Sequence, residues 1–367
     1  MDPTTAEQAI GKSYPESYPE AEQFQDILIG GPAEVAENFH WADHLIDPGN
    51  IINKYEEFVA SSKIPLDGPQ LSDICFESFD FCGTVYNDIL FPKGSPQLPY
   101  HDLNHALITS ITAQKIFLGG LLFESEAKKF SLPSSNKLAS LHHIFSLVSS
   151  FHEIDDWWDK PYPNTSGEHN PNIAKAKSTI AQHLKKLGLS SHDFNRLLVL
   201  DDFREKQEVS LQKSLDLKKG EGFLPEDETP SLLDQFTLEE RKIILKVASG
   251  ALCASDFLQV INPAYLQPVK LILDKEKKSF DGLAGPYVLA WEMKDWRKKA
   301  LQPAGFGLDD GTVHWEDVNL SSGFFQNVAL PRINSGLEYL NSFSPAEYNR
   351  ANLVLDDIKH RILHETS

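Results

Sequence analysis

Apolar residues recur along most of this chain at intervals of three and four, the period of a helix with one buried face. Leu103, Ala106, Leu107, Ile111, Ile116 and Phe117 predict a helix from Tyr100 to about Leu118. Gly119-Gly120 is expected to break or kink it, with Leu121–Phe130 continuing as a further helix. A second strong pattern, about 136–155, carries apolar residues from Leu138 to Phe151 and follows the turn Pro133-Ser134-Ser135-Asn136, where Ser134 and Ser135 are N-cap candidates. Asn172–Leu187 is predicted to stop at Gly188, and Ser190–Leu198 gives a shorter helix. Thr237-Leu238-Glu239-Glu240 has the form of a capping box and opens a helix reaching about Val260. Further helices fit 33–45, 51–60, 263–277, 285–301, 322–343 and 345–364. Leu71–Phe91 mixes periods and leaves helix and strand both open. With no sustained alternation, no internal repeat and no glycine-rich phosphate loop, the expected class is all-α, a helical bundle with short irregular loops.

Residues 1–25 are polar, lack an apolar face and read as a mobile tail, which leaves 26–367 as a single helical domain. Residues 204–232, rich in Lys, Glu and Gly, read as an exposed excursion. The longest unbroken apolar run lies around Ile116–Phe123, far short of the roughly 20 residues of a membrane span. No basic-then-apolar start is visible, so a soluble, cytoplasmic protein is expected, with no membrane partner. Cys75, Cys82 and Cys253 show no CxxC spacing, which argues against a disulfide framework and against a thiolate zinc site. A formal net charge of −19 repels nucleic-acid polymers. It leaves a small phosphorylated substrate open, because a bound divalent cation supplies local positive charge.

Candidate chemistry concentrates at three places. His101 and His105 stand four apart and share one helix face. His152-Glu153 ends an apolar helix and is followed at once by Asp155 and Asp156, acids in a place where the helix dipole disfavours them. Asp256 interrupts an apolar stretch, and a buried carboxylate needs a partner. That partner is a metal ion or, on the plainer account, a backbone or arginine contact. Imidazole and carboxylate without thiolate suit Zn²⁺, Fe, Mn²⁺ or Mg²⁺.

The series Tyr100-His101-Asp102-Leu103-Asn104-His105-Ala106, then His152-Glu153, then Asp256 resembles the H…HD…D order of the HD-domain metal-dependent phosphohydrolases. It is most similar to class I cyclic-nucleotide phosphodiesterases, whose first motif reads YHNxxHA, and the similarity spans roughly residues 97–340. The resemblance implies an HD/phosphodiesterase-like helical bundle that hydrolyses a phosphoester of a small nucleotide-like substrate with one or two divalent ions. It implies that His105, His152, Glu153 and Asp256 hold metal, with Glu153 at the family's aspartate, also a catalytic position. His101 takes the place of the histidine that protonates the leaving oxygen. Asp156 falls where that class has a histidine, and Tyr100, Asp156, Phe324 and Gln326 are the implied substrate contacts; His169, in the loop immediately after His152-Glu153, is a further candidate from its position. Ser321-Ser322-Gly323-Phe324 with Pro331 resembles the QxGF…P segment that clamps a purine, with Ser321 at the glutamine's position and Gln326 as its substitute. Trp157, Trp158 and Phe324 offer a stacking wall for a base. Two other classes stay open: a degenerate or metal-independent HD-fold protein, to which Glu153 and Ser321 point, and an HD-superfamily di-iron oxygenase.

Overall fold

The structure is a computed structural model that describes residues 64–66, 68–92, 101, 103–127, 129–155, 158–159, 170–201, 207–259 and 330–343. Among these residues every regular element is helical and no strand occurs, in keeping with the all-α expectation. The tail 1–25 and the helices expected at 33–45, 51–60, 263–277, 285–301 and 345–364 lie outside the described residues.

Helix α1 (Gly68–Thr84) starts with Pro69 in its first turn, where the missing N–H costs nothing. It passes directly into a π-helical segment, Val85–Leu90, closed by an N–H of Phe91 donating to the Tyr86 carbonyl five residues back at 2.8 Å. Each π turn takes up one extra residue, so the apolar positions slip out of the 3.6-residue period. That slip helps explain why Leu71–Phe91 showed a mixed pattern although Leu71–Leu90 is helical throughout.

Helix α2 (Leu103–Glu126) is continuous through Gly119-Gly120, against the expected break. Two glycines cost about 1 kcal/mol each relative to alanine, but the flanking Phe117, Leu118 and Leu121 are fully buried and hold the helix together. Phe117 stacks on Phe145 of the next helix with ring centroids 4.1 Å apart. The stretch His105–Ser125 is, by length and composition, apolar enough to cross a membrane, although 72% of its most apolar window is buried inside the protein. Thr109, Ser110, Thr112 and Gln114 interrupt the run in sequence yet are themselves buried.

Helix α3 (Ser135–Ser150) begins after Ser134, which occupies the N-cap position without a side-chain capping bond. It stops five residues earlier than the spacing suggests. The Phe151 N–H is shared between the carbonyls of Leu147 and Val148, and Ile154 N–H closes a turn onto Phe151. His152 and Glu153 therefore stand on a turn just past the helix.

Helix α4 (Ile173–Lys186) ends in a Schellman arrangement: Gly188, at φ 69°, donates to Lys185, and Leu189 donates to Leu184. Ser190 caps α5 (Ser191–Leu198) by accepting from the His192 N–H at 3.2 Å. Helix α6 (Gln207–Asp216) follows. The capping box at Thr237 opens α7 (Leu238–Gln259): Glu240 accepts from the Thr237 N–H at 2.9 Å, and Thr237 accepts from the Glu240 N–H at 3.3 Å. Helix α8 is Leu330–Phe343; the earlier part of the expected 322–343 helix lies outside the described residues.

Residues 207–232 are largely at the surface, as their composition suggested, but they are anchored to the helices. Helix α6 packs on α7, and Leu224 is fully buried. Asn195 of α5 grips Leu224 from both sides, accepting from its N–H at 2.8 Å and donating to its carbonyl at 3.0 Å. Asp193 accepts from Ser231 and from the Leu232 N–H. One buried leucine and two polar clamps outweigh the charged composition.

The helices pack in the spatial order α1, α3, α2, α7, α8, with the most extensive contact between α2 and α7. Small residues on α7, among them the buried Ala248, Ala251 and Ala254, allow close approach of neighbouring helices. Helix α2 lies in the middle, and its N-terminal end is where the candidate ligands meet.

Candidate metal centre

Three segments deliver four side chains to one point. His105 comes from the first turn of α2, His152 and Glu153 from the turn after α3, and Asp256 from the last turns of α7. The first three are at most 4% exposed, and the Asp256 side chain is 17% exposed. One donor atom from each lies within 4.8 Å of all the others.

His105 Nε2 stands 3.0 Å from Glu153 Oε1, 3.1 Å from Asp256 Oδ1 and 3.4 Å from His152 Nε2. A ring nitrogen carries at most one proton, so it cannot satisfy three acceptors at once. The tautomer of His152 sharpens the point. Its Nδ1 lies 2.8 Å from the Ser149 carbonyl, which can only accept, so Nδ1 carries the proton. In the neutral ring Nε2 is then a bare lone pair aimed into the cluster, the arrangement seen behind metal-bound imidazoles.

The separations also fit an ion. His105 Nε2, His152 Nε2 and Asp256 Oδ1 form a triangle with sides of 3.1, 3.4 and 4.0 Å. Donor atoms this close together could serve as ligands of one cation, since imidazole and carboxylate donors each approach such an ion to about 2.0–2.2 Å. Glu153 Oε1, 3.0 and 3.2 Å from the two imidazole nitrogens, completes the set. The group can thus hold a metal ion.

The electrostatics ask for positive charge. Burial alone would keep His105 neutral, but hydrogen bonds to Asp256 and Glu153 and the charge of both carboxylates outweigh it and lift its pKa to about 10. Burial works against ionising Glu153, yet His101, His152 and His105 together hold its carboxyl well below the usual range. A buried carboxylate at Glu153 beside a half-buried one at Asp256 calls for a positive charge between them, whether a proton on His105 or a metal.

His101 is buried beside the cluster, its ring centroid 5.6 Å from that of His105 and nearly perpendicular to it. Its backbone carbonyl accepts from Trp158 Nε1 at 3.0 Å. Trp158 is fully buried and packs edge-on against Tyr86, with ring centroids 4.9 Å apart, and against Phe91 and Phe151. It therefore anchors the residue ahead of α2 and is not an open stacking wall for a base. The π-helical segment contributes Tyr86 to the same aromatic group.

Sequence reading brought His101, His105, His152, Glu153 and Asp256 to this place and missed what lies behind them. Ser110 Oγ on α2 is 2.9 Å from both Ser149 Oγ and Ser150 Oγ on α3, and Gln114 Nε2 donates to it at 3.0 Å. Cys75 Sγ donates to the Gln114 side-chain oxygen at 3.0 Å, and Cys82 Sγ donates to the Ser150 carbonyl at 3.1 Å. The available signal was Ser146, Ser149 and Ser150 in an otherwise apolar helix. Tyr100, Asp156, His169, Phe324 and Gln326, together with Trp157 and Ser321, lie outside the described residues. No protein-family model, no curated protein and no solved structure matches this chain.

Proposed function

We propose that this chain is a metal-dependent phosphoric ester hydrolase of the HD/phosphodiesterase type, acting on a small nucleotide-like phosphoester in the cytoplasm. The observation that carries the reading is the convergence of His105, His152, Glu153 and Asp256 on one point. These residues come from three distant segments, in the order that the resemblance to HD phosphohydrolases implies.

His105, His152, Glu153 and Asp256 would hold the ion, with Ser149 fixing the His152 tautomer. A divalent ion bound there supplies Lewis acidity toward a phosphoryl oxygen and makes water acidic enough to attack near neutral pH. His101 sits beside these ligands and, when protonated, would give its proton to the departing alkoxide oxygen. The aromatic group around Trp158 holds the His101 backbone in place. Burial of the cluster excludes bulk water, which strengthens each of these interactions. The −19 charge disfavours polyanionic polymers and suits a small substrate.

A second reading, ion or ligand binding without turnover, draws support from the tightness of the cage. Four protein donors around one ion is the pattern of closed, non-catalytic sites.

One experiment separates the two. Metal analysis of the purified chain is paired with a hydrolysis screen over cyclic and linear nucleotides and phosphoribosyl conjugates, with Mn²⁺ or with EDTA. Under the first reading Asp256→Asn loses both ion and turnover. His101→Gln keeps the ion, and its kcat falls by about 100-fold or more. If the ion-loaded chain turns over none of these esters, the hydrolase reading is wrong and the binding reading stands.

A further inference from the structure

His101 and Glu153 each stand just outside a helix, His101 ahead of α2, which begins at Leu103, and Glu153 beyond α3, which ends at Ser150. One residue holds the backbone of both. The main-chain N–H of Trp158 donates to the Glu153 carbonyl at 2.8 Å, and its indole Nε1–H donates to the His101 carbonyl at 3.0 Å.

We propose that Trp158 is a positioning residue that sets His101 against Glu153; its value for turnover rests on the hydrolase reading above. The two N–H groups of a tryptophan are separated by only two rotatable side-chain bonds. Packing locks both, since the ring is fully buried and edge-on to Tyr86, Phe91 and Phe151. The neighbouring residue is held as well. The Asp159 carbonyl accepts from the Asn170 N–H at 2.8 Å, and the Asn170 side chain donates to the Leu90 carbonyl, at the end of the π-helical segment, at 3.2 Å. The His101 and Glu153 carbonyls are therefore kept at a fixed separation although they belong to distant segments.

The chemistry explains why that separation matters. A proton donor works only within hydrogen-bond reach of the leaving oxygen, and a misplacement of about 1 Å costs about 100-fold in rate. Trp158 meets this demand without taking part in the reaction, because both of its N–H groups are engaged by backbone carbonyls.

Two replacements remove the indole N–H: Trp158→Phe, and 3-benzothienylalanine at the same position, whose sulfur preserves the shape of the ring. Both keep the main-chain N–H on Glu153, so ion affinity by chelator competition should match the parent. Reactivity of His101 toward diethyl pyrocarbonate, read by peptide mass spectrometry, should rise at least about fivefold, while His142, fully buried in α3, stays protected. Turnover is read with the Mn²⁺-loaded chain on two esters of adenosine 5′-monophosphate. The ethyl ester needs a proton on its departing alkoxide, whereas p-nitrophenolate leaves without one. On the ethyl ester kcat should fall about tenfold or more with KM unchanged; on the p-nitrophenyl ester it should hold. His101→Gln should show the same selectivity, and adding Trp158→Phe to it should lower kcat no further. A merely structural loss would slow both esters alike. The proposal is overturned if the benzothienyl chain labels His101 no faster than the parent, exposes His142 to the same degree, or slows both esters equally. Faster labelling of His101, with neither ester turned over by the parent, would keep the tether and count against the hydrolase reading alone.

Discussion

His152 donates through Nδ1 to the carbonyl of Ser149, three residues back, at 2.8 Å. That bond fixes which face of the ring carries a proton, and so what His152 offers the cluster. The carbonyl belongs to the last turn of α3, which Ser110 of α2 holds through Ser149 and Ser150. Ser110→Ala leaves Gln114 Nε2 short of an acceptor and frees that turn. The expected cost is about 1–3 kcal/mol of stability, together with weaker metal binding in chelator competition. Ser214→Ala removes another buried serine, one that donates to the Arg196 carbonyl at 2.7 Å far from the ligands. It should lower stability and leave metal affinity alone. Equal metal affinity in both variants would show that Ser110 has only a packing role.

How much of this was legible in the sequence depended on whether the determining interaction was local. The capping box at Thr237 and the stop at Gly188 are written in consecutive residues, and both formed as expected, whereas Ser134, an expected N-cap, makes no side-chain capping bond. The helix through Gly119-Gly120 was misjudged because burial on neighbouring helices, which no local window contains, outweighs two poor helix formers. The ligands were legible because imidazoles and acids are conspicuous in apolar stretches. Ser149 was not, since its contribution is a backbone carbonyl that every residue possesses.

Asn195 is the fastener of the 217–232 segment. Its amide donates to the Leu224 carbonyl and its oxygen accepts from the Leu224 N–H, while Leu224 itself is fully buried. Asn195→Ala removes both bonds and leaves two backbone groups unsatisfied, at a cost of about 1–3 kcal/mol. The loss should be local: hydrogen exchange should accelerate around residues 217–232 and stay unchanged in α2. Uniform acceleration across the chain would contradict a local clamp.

The three cysteines should react in two classes. Cys75 and Cys82 are fully buried, and burial pushes the Cys82 thiol far above its ordinary pKa, so its thiolate does not form. Cys253 on α7 is only partly buried. A thiol reagent should label Cys253 in the native chain and all three only after unfolding, as read by mass spectrometry of peptides. Native labelling of Cys82 at a rate like that of Cys253 would mean that α1 opens from α3 far more readily than its packing implies.

Gly336 tests the close approach that sets the position of Asp256. It lies where α8 meets α7, and a Cβ there would stand 3.0 Å from the Cα of Ala254, two residues before Asp256. Backbone cannot swing aside as a side-chain tip does, so an added methyl must push the two helices apart by a few tenths of an ångström. Alanine gains about 1 kcal/mol of helix propensity over glycine, whereas overpacking costs about 1–3 kcal/mol. The balance predicts a modest net loss in urea unfolding. It also predicts weaker metal binding, because α7 carries Asp256 with it when it shifts. A Gly336→Ala chain that is more stable than the parent and binds metal equally well would show that α7 and α8 have room to spare. The placement of Asp256 would then not depend on α8.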